Sequence, residues 1–394
     1  MKCNRNYTLI FWITIGLAGV WAAACNSSSQ RTVAPAFYHW KTSLAFSLVE
    51  RSYLDSLGCK KLYVKVLDIG REPTTGEIQP YSRLEITDTA GLSKFEIVPT
   101  VFITNEVFKN ISEEKIEWLA GKVAEVLNPT PNPSPNGRGD VERSLENADD
   151  GAVYSMSPLP LGEGSGVGLS EVQFDCDWTP STRDAFFLFL KKIKKHLPKQ
   201  TRLSATIRLH QYKFPDKTGV PPVDRGMLMF YNTGDIENPE TGNSIFQTAD
   251  AEKYIIGAPN KYPLPLDLAL PVFSWALIYR DGELWKIIPE MSKNELNDTT
   301  RFVKIQNLPG TNTIHHSSFI IQKGTFISGH YLRPGDLLRM ETISPELLRE
   351  AARLAAQTDL ADDATVAFFH LDTSFIRRYP TQLFDSVCRM ICFR

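Results

Sequence analysis

The sequence predicts an α/β protein that folds as a (β/α)8 barrel, and three observations lead to this prediction. Apolar strand-like segments alternate with amphipathic helix-like segments along most of the chain, a pattern typical of a parallel sheet. Eight strand-like segments can be identified, which is the number that closes such a barrel. Several segments end in polar residues, as expected where barrel strands carry a site at their C-terminal ends. Two separate α/β domains are the alternative.

Each predicted element rests on a local pattern. The predicted strands are short apolar runs at residues 37–40, 61–69, 96–104, 172–178, 203–209, 227–231, 266–273 and 365–371. The predicted helices cover 44–57, 112–126 and 181–196. A later helix begins at Ser344, where a serine N-cap precedes a proline at the first helical position. The Asp281-Gly282 pair predicts a β-hairpin in the connection after the seventh strand.

The N-terminus has the pattern of an export signal. Basic residues precede an apolar run at 7–21, which is short for a membrane span of about 20 residues. Three alanines then precede Cys25. This arrangement resembles the lipobox of bacterial lipoproteins, and it implies a signal peptide at 1–24, a lipid on Cys25 and a polar tether at 25–34. A signal peptide cleaved beside a chance cysteine is the alternative.

If the lipobox reading holds, the protein is expected in the bacterial cell envelope, held to the membrane through its N-terminal lipid. The periplasmic face and the surface face of the envelope are the two alternative locations.

Residues 129–168 differ in composition from their surroundings. The segment opens with PTPNPSPNGRG and closes with SPLPLGEGSGVG, around a polar, acidic middle. With suitable codons, the reverse complement of one end can encode the other, which resembles a mobile inverted repeat inserted in frame. A Pro/Gly-rich linker between two domains is the alternative. Because this composition cannot bury a core, we predict a disordered insertion that interrupts a single barrel domain at 35–394.

The composition limits the classes of partner. The formal net charge is −2, so the chain has no basic field that would attract nucleic acid. The cysteines outside the N-terminal segment have no paired zinc-binding spacing. We predict that Cys388 and Cys392, which share a helix face, are buried or disulfide-bonded, and that Cys176 is buried. No cofactor and no metal ion are predicted.

The fourth predicted strand ends in the sequence VQFDCDWT and carries the first candidate catalytic residues. Alternation along a strand places Gln173, Asp175 and Asp177 on one face. Two carboxylates about 7 Å apart on one strand face raise each other's pKa. Asp175 and Asp177 are therefore candidates for acid-base chemistry.

Other strand ends supply further candidates. The remaining candidate catalytic residues are Tyr231 and Asp372. The candidate substrate-binding residues are His39, Trp40, Arg208, His210, Gln211 and Asn232, among which Trp40 offers a ring that can stack on a sugar. A purely structural role in buried hydrogen bonding is the alternative for each of them.

Two of these strand ends resemble motifs of family 18 glycoside hydrolases, the chitinase-like barrels. Asp175-Cys176-Asp177 follows the DxD part of that family's DxxDxDxE motif, and Met229-Phe230-Tyr231-Asn232 follows its MxYD motif. The resemblance implies that Asp177 orients an acetamido group of the substrate. It also implies that Tyr231 forms a hydrogen bond near the reacting centre.

The chain departs from the family motif at two positions. Thr179 stands where the family has its general-acid Glu, and Val172 stands where it has its first Asp. Threonine cannot protonate a leaving oxygen, so the family mechanism is not carried over intact. Over the whole barrel, the chain is similar to a group of uncharacterised bacterial barrel lipoproteins, a resemblance that implies no activity.

The sequence leaves three functions open. The first is glycan hydrolysis by the strand-end carboxylates of an exported, glycoside-hydrolase-like barrel. The second is glycan binding, or another role in the cell envelope, on the same scaffold without catalysis. The third is metal-dependent hydrolysis, for which the ligand set would be Asp175, Asp177, His210, His370 and Asp372.

Overall fold

The computed structural model describes residues 31–88, 91–127, 169–259, 261–289, 291, 293–305 and 316–392. The predicted signal peptide, Cys25 and the insertion at 129–168 lie outside these residues. Within them, no helix is both long enough and apolar enough to cross a membrane.

Eight parallel strands form a closed barrel, which confirms the predicted fold. The strands are β1 Ala34–His39, β2 Lys61–Arg71, β3 Glu96–Ile103, β4 Glu171–Asp175, β5 Arg202–Arg208, β6 Arg225–Met229, β7 Leu266–Pro271 and β8 Thr365–Phe369. Each pairs with its neighbours in chain order, and β1 closes the barrel by pairing with both β2 and β8. Several predicted strands extended past the observed C-terminal ends, so residues such as Asp177 and Tyr231 lie in the loops that follow their strands.

Helices cover the outside of the barrel. They are α1 Leu48–Ser56, α2 Glu113–Leu127, α3 Arg183–His196, α4 Leu209–Lys213, α5 Pro215–Thr218, α6 Thr248–Ile255, α7 Pro345–Ala355, α8 Thr373–Ile376 and α9 Thr381–Cys392. Ser344 accepts a hydrogen bond from the Leu347 N–H and caps α7 as predicted. The described residues of the connection between β2 and β3 contain no α-helix. They contain a further strand, Ile78–Arg83, which pairs antiparallel with β2.

The connection between β7 and β8 is larger than the predicted hairpin. The hairpin forms at Asp281-Gly282, where both residues adopt a positive φ. It belongs to a five-stranded antiparallel sheet, which we call the inserted sheet. Its strands are Ser274–Arg280, Glu283–Pro289, Phe302–Ile305, His316–Ile321 and Leu337–Thr342. One face of this sheet has a small apolar core of its own, which includes Ile278, Leu338 and Met340.

A buried ion pair holds the other face of the inserted sheet against the barrel. The Arg339 Nε lies 2.7 Å from the Glu341 Oε1, and both side chains are fully buried. The Glu341 carboxylate also accepts hydrogen bonds from the Ser244 N–H and hydroxyl, and from the Trp275 indole N–H. Arg339 donates to the Asn238 carbonyl oxygen at 2.7 Å. The pair therefore connects the inserted sheet to the loop that follows β6.

The N-terminal end of β1 is bonded to the base of the barrel, the end opposite the C-terminal ends of the strands. Arg31, which the sequence analysis assigned to the tether, is buried. Its guanidinium group donates to the carbonyl oxygens of Ala356 and Thr358, and its N–H donates to the Cys392 carbonyl oxygen. The described chain therefore starts against the C-terminal ends of α7 and α9.

The four cysteines in the described residues are all free thiols. Cys176 and Cys388 are buried, as predicted, and Cys392 is partly buried. The alternative of a disulfide between Cys388 and Cys392 is therefore wrong. Burial raises the pKa of the Cys388 thiol to about 12, which keeps it protonated and unreactive at neutral pH.

Candidate functional site

The C-terminal end of β4 places one carboxylate inside the barrel. Asp175 is the last residue of β4 and is only 5% exposed. Its carboxylate accepts a hydrogen bond of 2.7 Å from the Thr206 hydroxyl on β5. Two residues earlier on β4, the Gln173 amide oxygen accepts a hydrogen bond of 2.6 Å from the Tyr38 hydroxyl on β1. The alternation predicted for this strand thus places Gln173 and Asp175 in the barrel interior.

Asp177 lies just beyond the end of β4, at the mouth of the barrel, which is the surface formed by the C-terminal ends of the strands. Its carboxylate accepts two hydrogen bonds from the Arg208 guanidinium group, one on each oxygen. The Asp177 side chain is about half exposed, whereas the Arg208 side chain is mostly buried. This paired geometry is typical of a strong arginine-carboxylate interaction.

The environment of Asp175 favours its neutral form. The pKa of Asp175 is raised to about 6, mainly by burial and in addition by the negative charge of Asp177. Arg208 and the Thr206 hydroxyl act against this rise. Asp175 therefore changes its charge close to neutral pH.

Tyr231 follows β6 and lies beside these groups. Its side chain is 4% exposed, and its hydroxyl has no hydrogen-bond partner among the described residues. Burial raises the pKa of Tyr231 well above its ordinary value, and the nearby Asp175 adds to this rise. A buried hydroxyl without a partner is costly, so its presence at the mouth is consistent with a ligand that supplies the missing hydrogen bond.

Aromatic rings from several strand ends meet around this polar group. The ring centroid of Phe369, at the end of β8, lies 5.2 Å from that of Trp40 and 5.4 Å from that of Tyr231. Phe102 on β3 and Phe273 after β7 extend the cluster, at 6.4 Å from Trp40 and 5.6 Å from Phe369 respectively. Trp40, Phe102 and Phe369 are each only partly buried. They therefore offer apolar surface beside the polar groups.

Two of the predicted site residues, His39 and Gln211, form structural hydrogen bonds. The His39 ring donates from Nε2 to the Ser43 carbonyl oxygen at 2.9 Å. The Gln211 amide accepts from the Arg208 N–H and donates to the Trp178 carbonyl oxygen, which joins the ends of β4 and β5. Both ends of the Gln211 amide are engaged in these bonds, whereas the His39 Nδ1 is buried and has no hydrogen-bond partner among the described residues. The substrate-binding role of both residues stays a prediction.

Asp372, predicted as catalytic, is the N-cap of α8. It accepts hydrogen bonds from the Ser374 N–H and hydroxyl and forms an ion pair with Lys41. Burial acts to raise the pKa of Asp372, but Lys41 and Ser374 outweigh it and lower the value. These bonds do not involve Asp175, Asp177 or Tyr231, so a catalytic role for Asp372 receives no support.

His210 and Asn232 lie on the exposed rim of the mouth. His210 is on α4, directly after β5, and its side chain is exposed. Asn232 follows Tyr231, adopts a positive φ of 55° and is also exposed. Both remain available to a ligand, and their predicted binding role stays a prediction.

Thr179 occupies the position of the acid in the family 18 motif. Its hydroxyl oxygen lies 3.0 Å from the Ser181 hydroxyl oxygen and 3.2 Å from the Thr182 hydroxyl oxygen. Its N–H donates to the Thr182 hydroxyl at 2.9 Å. Thr179 is therefore part of the turn that leads into α3, and this position holds no carboxyl group.

Two charged residues of the mouth were missed by the sequence analysis, namely Lys65 and Asp68 on β2. The pairing of β2 with β3 shifts register between Lys65 and Leu67, so Val66 is an extra residue. Lys65 and Asp68 consequently share a face and form an ion pair of 2.7 Å. The Lys65 Nζ also lies 5.4 Å from the centre of the Trp40 ring. Strict alternation cannot find this pair, because it assumes an unbroken strand.

The described residues contain no group of three or more His, Cys, Asp or Glu side chains placed to hold a metal ion. The ligand set considered in the sequence analysis is thus not assembled. The alternative of a metal-dependent hydrolase receives no support.

No protein-family model matches the chain, and neither does any curated protein. Among solved structures, the chain is similar to the spore cortex-lytic enzyme SleL of Bacillus cereus, at 14% identity and a TM-score of 0.45, with 90% of this chain and 74% of that chain covered. A chitinase from Bacteroides thetaiotaomicron is similar at 10% identity and a TM-score of 0.44, with 92% and 96% covered. A Rhizomucor miehei chitinase matches at 11% identity and a TM-score of 0.40, with 90% and 99% covered. Sequence identities and TM-scores this low do not show the function of the chain.

Proposed function

We propose that this protein is a lipid-anchored barrel of the bacterial cell envelope that binds a glycan at its mouth without hydrolysing it by the family 18 route. The observation that carries the proposal is the combination of unpartnered polar groups and aromatic rings at the strand ends. Tyr231 presents a buried hydroxyl without a partner, and Trp40 and Phe369 present partly exposed rings beside it. Sugars have both hydroxyl groups and apolar ring faces, so they match such a surface.

The local chemistry of the β4 end argues against hydrolysis by the family 18 route. Glycoside hydrolysis in its common form needs one carboxylic acid to protonate the leaving oxygen and a second group to act on the other side. Thr179 has no carboxyl group, and both oxygens of the Asp177 carboxylate already accept hydrogen bonds from Arg208. The arrangement therefore favours binding over catalysis.

Hydrolysis with Asp175 as proton donor is the second candidate. It is favoured by one observation, the rise in the pKa of Asp175 to about 6, which is typical of a catalytic acid near neutral pH. Against it, the Asp175 carboxyl is buried and already accepts a hydrogen bond from Thr206. Release of reducing sugar from the glycan that binds would favour this candidate, provided that the Asp175→Asn variant releases none.

We expect the Asp177→Asn variant to keep its fold and to lose at least tenfold in affinity for the glycan. Asparagine keeps the shape of Asp177, and its side-chain oxygen can still accept one of the two hydrogen bonds from Arg208, so the melting temperature should fall little. The charge and hydrogen-bonding geometry that the pair presents to a ligand are lost, however. The measurement is binding of wild type and variant to an array of glycans, with thermal melts of both proteins.

Asp184→Asn is the matched control, because Asp184 also forms an ion pair with an arginine, Arg183, but on the exposed surface of α3. It should bind as the wild type does. A loss of ~1–3 kcal/mol of stability in Asp177→Asn, together with unchanged binding, would show that Asp177 is structural. If the wild type binds no glycan on the array, the proposed function is wrong.

We also propose that Cys25 carries the lipid that anchors the protein. We expect Cys25→Ser to abolish labelling by a fatty-acid probe and to move the protein from the membrane fraction to the soluble fraction. The reason is that serine lacks the thiol that accepts the lipid. Cys59→Ser is the control, since Cys59 is buried in the barrel and should leave labelling unchanged. A Cys25→Ser protein that still labels would contradict the anchor.

A further inference from the structure

The ion pair between Lys65 and Asp68 is more deeply buried than a surface pair. The two side chains are 12% and 18% exposed, respectively. One carboxylate oxygen of Asp68 accepts from Lys65, whereas the other, Oδ1, is buried and has no hydrogen-bond partner in the part of the chain that the structure describes. A partly desolvated pair with an unsatisfied oxygen contributes little to stability or lowers it. Packing of the barrel therefore does not explain the pair.

The Lys65–Asp68 pair lies at the mouth of the barrel. The β-bulge at Val66 turns Asp68 to the same side of β2 as Lys65, whose ammonium group lies over the Trp40 ring. Phe102 on β3 is the register partner of both Asp68 on β2 and Asp175 on β4, so the two aspartates lie at the same level of the barrel, two strands apart. The negative charge of Asp68 also acts to raise the pKa of Asp175. Asp68 is thus part of the same polar group as Asp175 and Tyr231.

We propose that Asp68 is a ligand-binding residue of the mouth, whose Oδ1 accepts a hydrogen bond from a sugar hydroxyl, and that Lys65 positions its carboxylate. This inference rests on the proposed function. It also assigns a ligand class, because the polar group around Tyr231 contains three aspartates, Asp68, Asp175 and Asp177, and two cations, Lys65 and Arg208. Above the pKa of Asp175, an acidic sugar would meet an excess of negative charge. The ligand expected is therefore a neutral, hydroxyl-rich glycan.

The test uses variants that remove both charges, so that neither is left unpaired. Lys65→Met/Asp68→Asn keeps the shapes of both side chains and leaves an uncharged acceptor. Lys65→Met/Asp68→Ala removes the acceptor as well. Binding of the full-length proteins to neutral chitin, cellulose and mannan oligosaccharides is compared with binding to acidic polygalacturonate oligosaccharides.

We expect the wild type to prefer one of the neutral oligosaccharides. The Asn variant should bind that oligosaccharide about tenfold more weakly, since a hydrogen bond to a charged acceptor is stronger than one to a neutral acceptor, and the Ala variant should bind more weakly still. Melting temperatures of both variants should equal or exceed that of the wild type. The control is Lys122→Met/Glu125→Gln, which removes an exposed ion pair of the same i,i+3 spacing on α2 and should change nothing.

The outcomes separate this inference from the proposed function. If the wild type binds a neutral oligosaccharide and both variants bind it equally well, Asp68 is not a ligand-binding residue and the proposed function stands. A preference for polygalacturonate overturns the assigned ligand class. A lower melting temperature in both variants, without weaker binding by the folded protein, shows a structural pair. If no oligosaccharide binds the wild type, both proposals fail.

Discussion

The Asp175→Asn variant is expected to be more stable than the wild type at pH 7, by about 3 kcal/mol, and no more stable in acid. The pKa of Asp175 is about 6 in the folded protein and near 3.8 in an unfolded chain. At pH 7 the folded protein must therefore keep a buried carboxylate charged, whereas asparagine keeps the same shape without the charge. The Thr206 hydroxyl can donate to the asparagine side-chain oxygen as it does to Asp175.

The pH dependence has a definite sign. Because the pKa is higher in the folded state, the folded protein binds the proton more tightly, and the wild type gains stability as the pH falls from about 6 to about 4. The advantage of Asp175→Asn should disappear over that range. The measurement is urea denaturation of both proteins at pH 4, 5.5 and 7, with Asp184→Asn as an exposed control. An Asn variant less stable than the wild type at pH 7 would show that the charge stabilises the fold.

The Arg339→Met variant is expected to lose about 3–5 kcal/mol of stability. Removal of the Arg339 guanidinium group leaves the Glu341 carboxylate fully buried without a cation, although Ser244 and Trp275 still donate to it. The cost of an unpaired buried charge is much larger than the benefit of the pair itself. The expected result is a lower midpoint of urea denaturation.

A double variant isolates the cause of that loss. Arg339→Met/Glu341→Gln carries no charge at this place, and the glutamine oxygen can still accept from Ser244 and Trp275. It should recover most of the stability that Arg339→Met loses. If the double variant is as unstable as the single one, the arginine matters through its packing against Tyr279 and its hydrogen bond to Asn238.

The barrel itself could be predicted from the sequence because its strands are apolar runs separated by amphipathic helices. The inserted sheet could not be predicted beyond one hairpin, since only Asp281-Gly282 gives a strong turn signal. Its later strands, such as His316–Ile321 and Leu337–Thr342, contain polar residues on the face that meets the barrel, including Ser318 and Arg339. Their pattern therefore resembles that of a loop as much as that of a strand.

The candidate site could be predicted only in part, for reasons of local geometry. Asp175 and Gln173 were identified because β4 alternates regularly up to its last residue. The helix cap formed by Asp372 could not be predicted, because a residue at a strand end can serve a site or cap the next helix, and sequence alone does not show which bond it forms. Asp68 was missed because a single bulge reverses the assignment of faces in the rest of β2.

The contacts of Arg31 bear on how the barrel would respond to mechanical load under the proposed anchoring. A pull on the tether would act on the N-terminal end of β1, along the axis of a strand that pairs on both sides. In this shear geometry, the hydrogen bonds to β2 and β8 are loaded together, and they are not separated one after another. Arg31 adds bonds to the C-terminal ends of α7 and α9, which spreads the force over two further elements. The mouth lies at the opposite end of the barrel. The proposed glycan site would therefore face away from the membrane attachment, and a pull on the tether would not act on it directly.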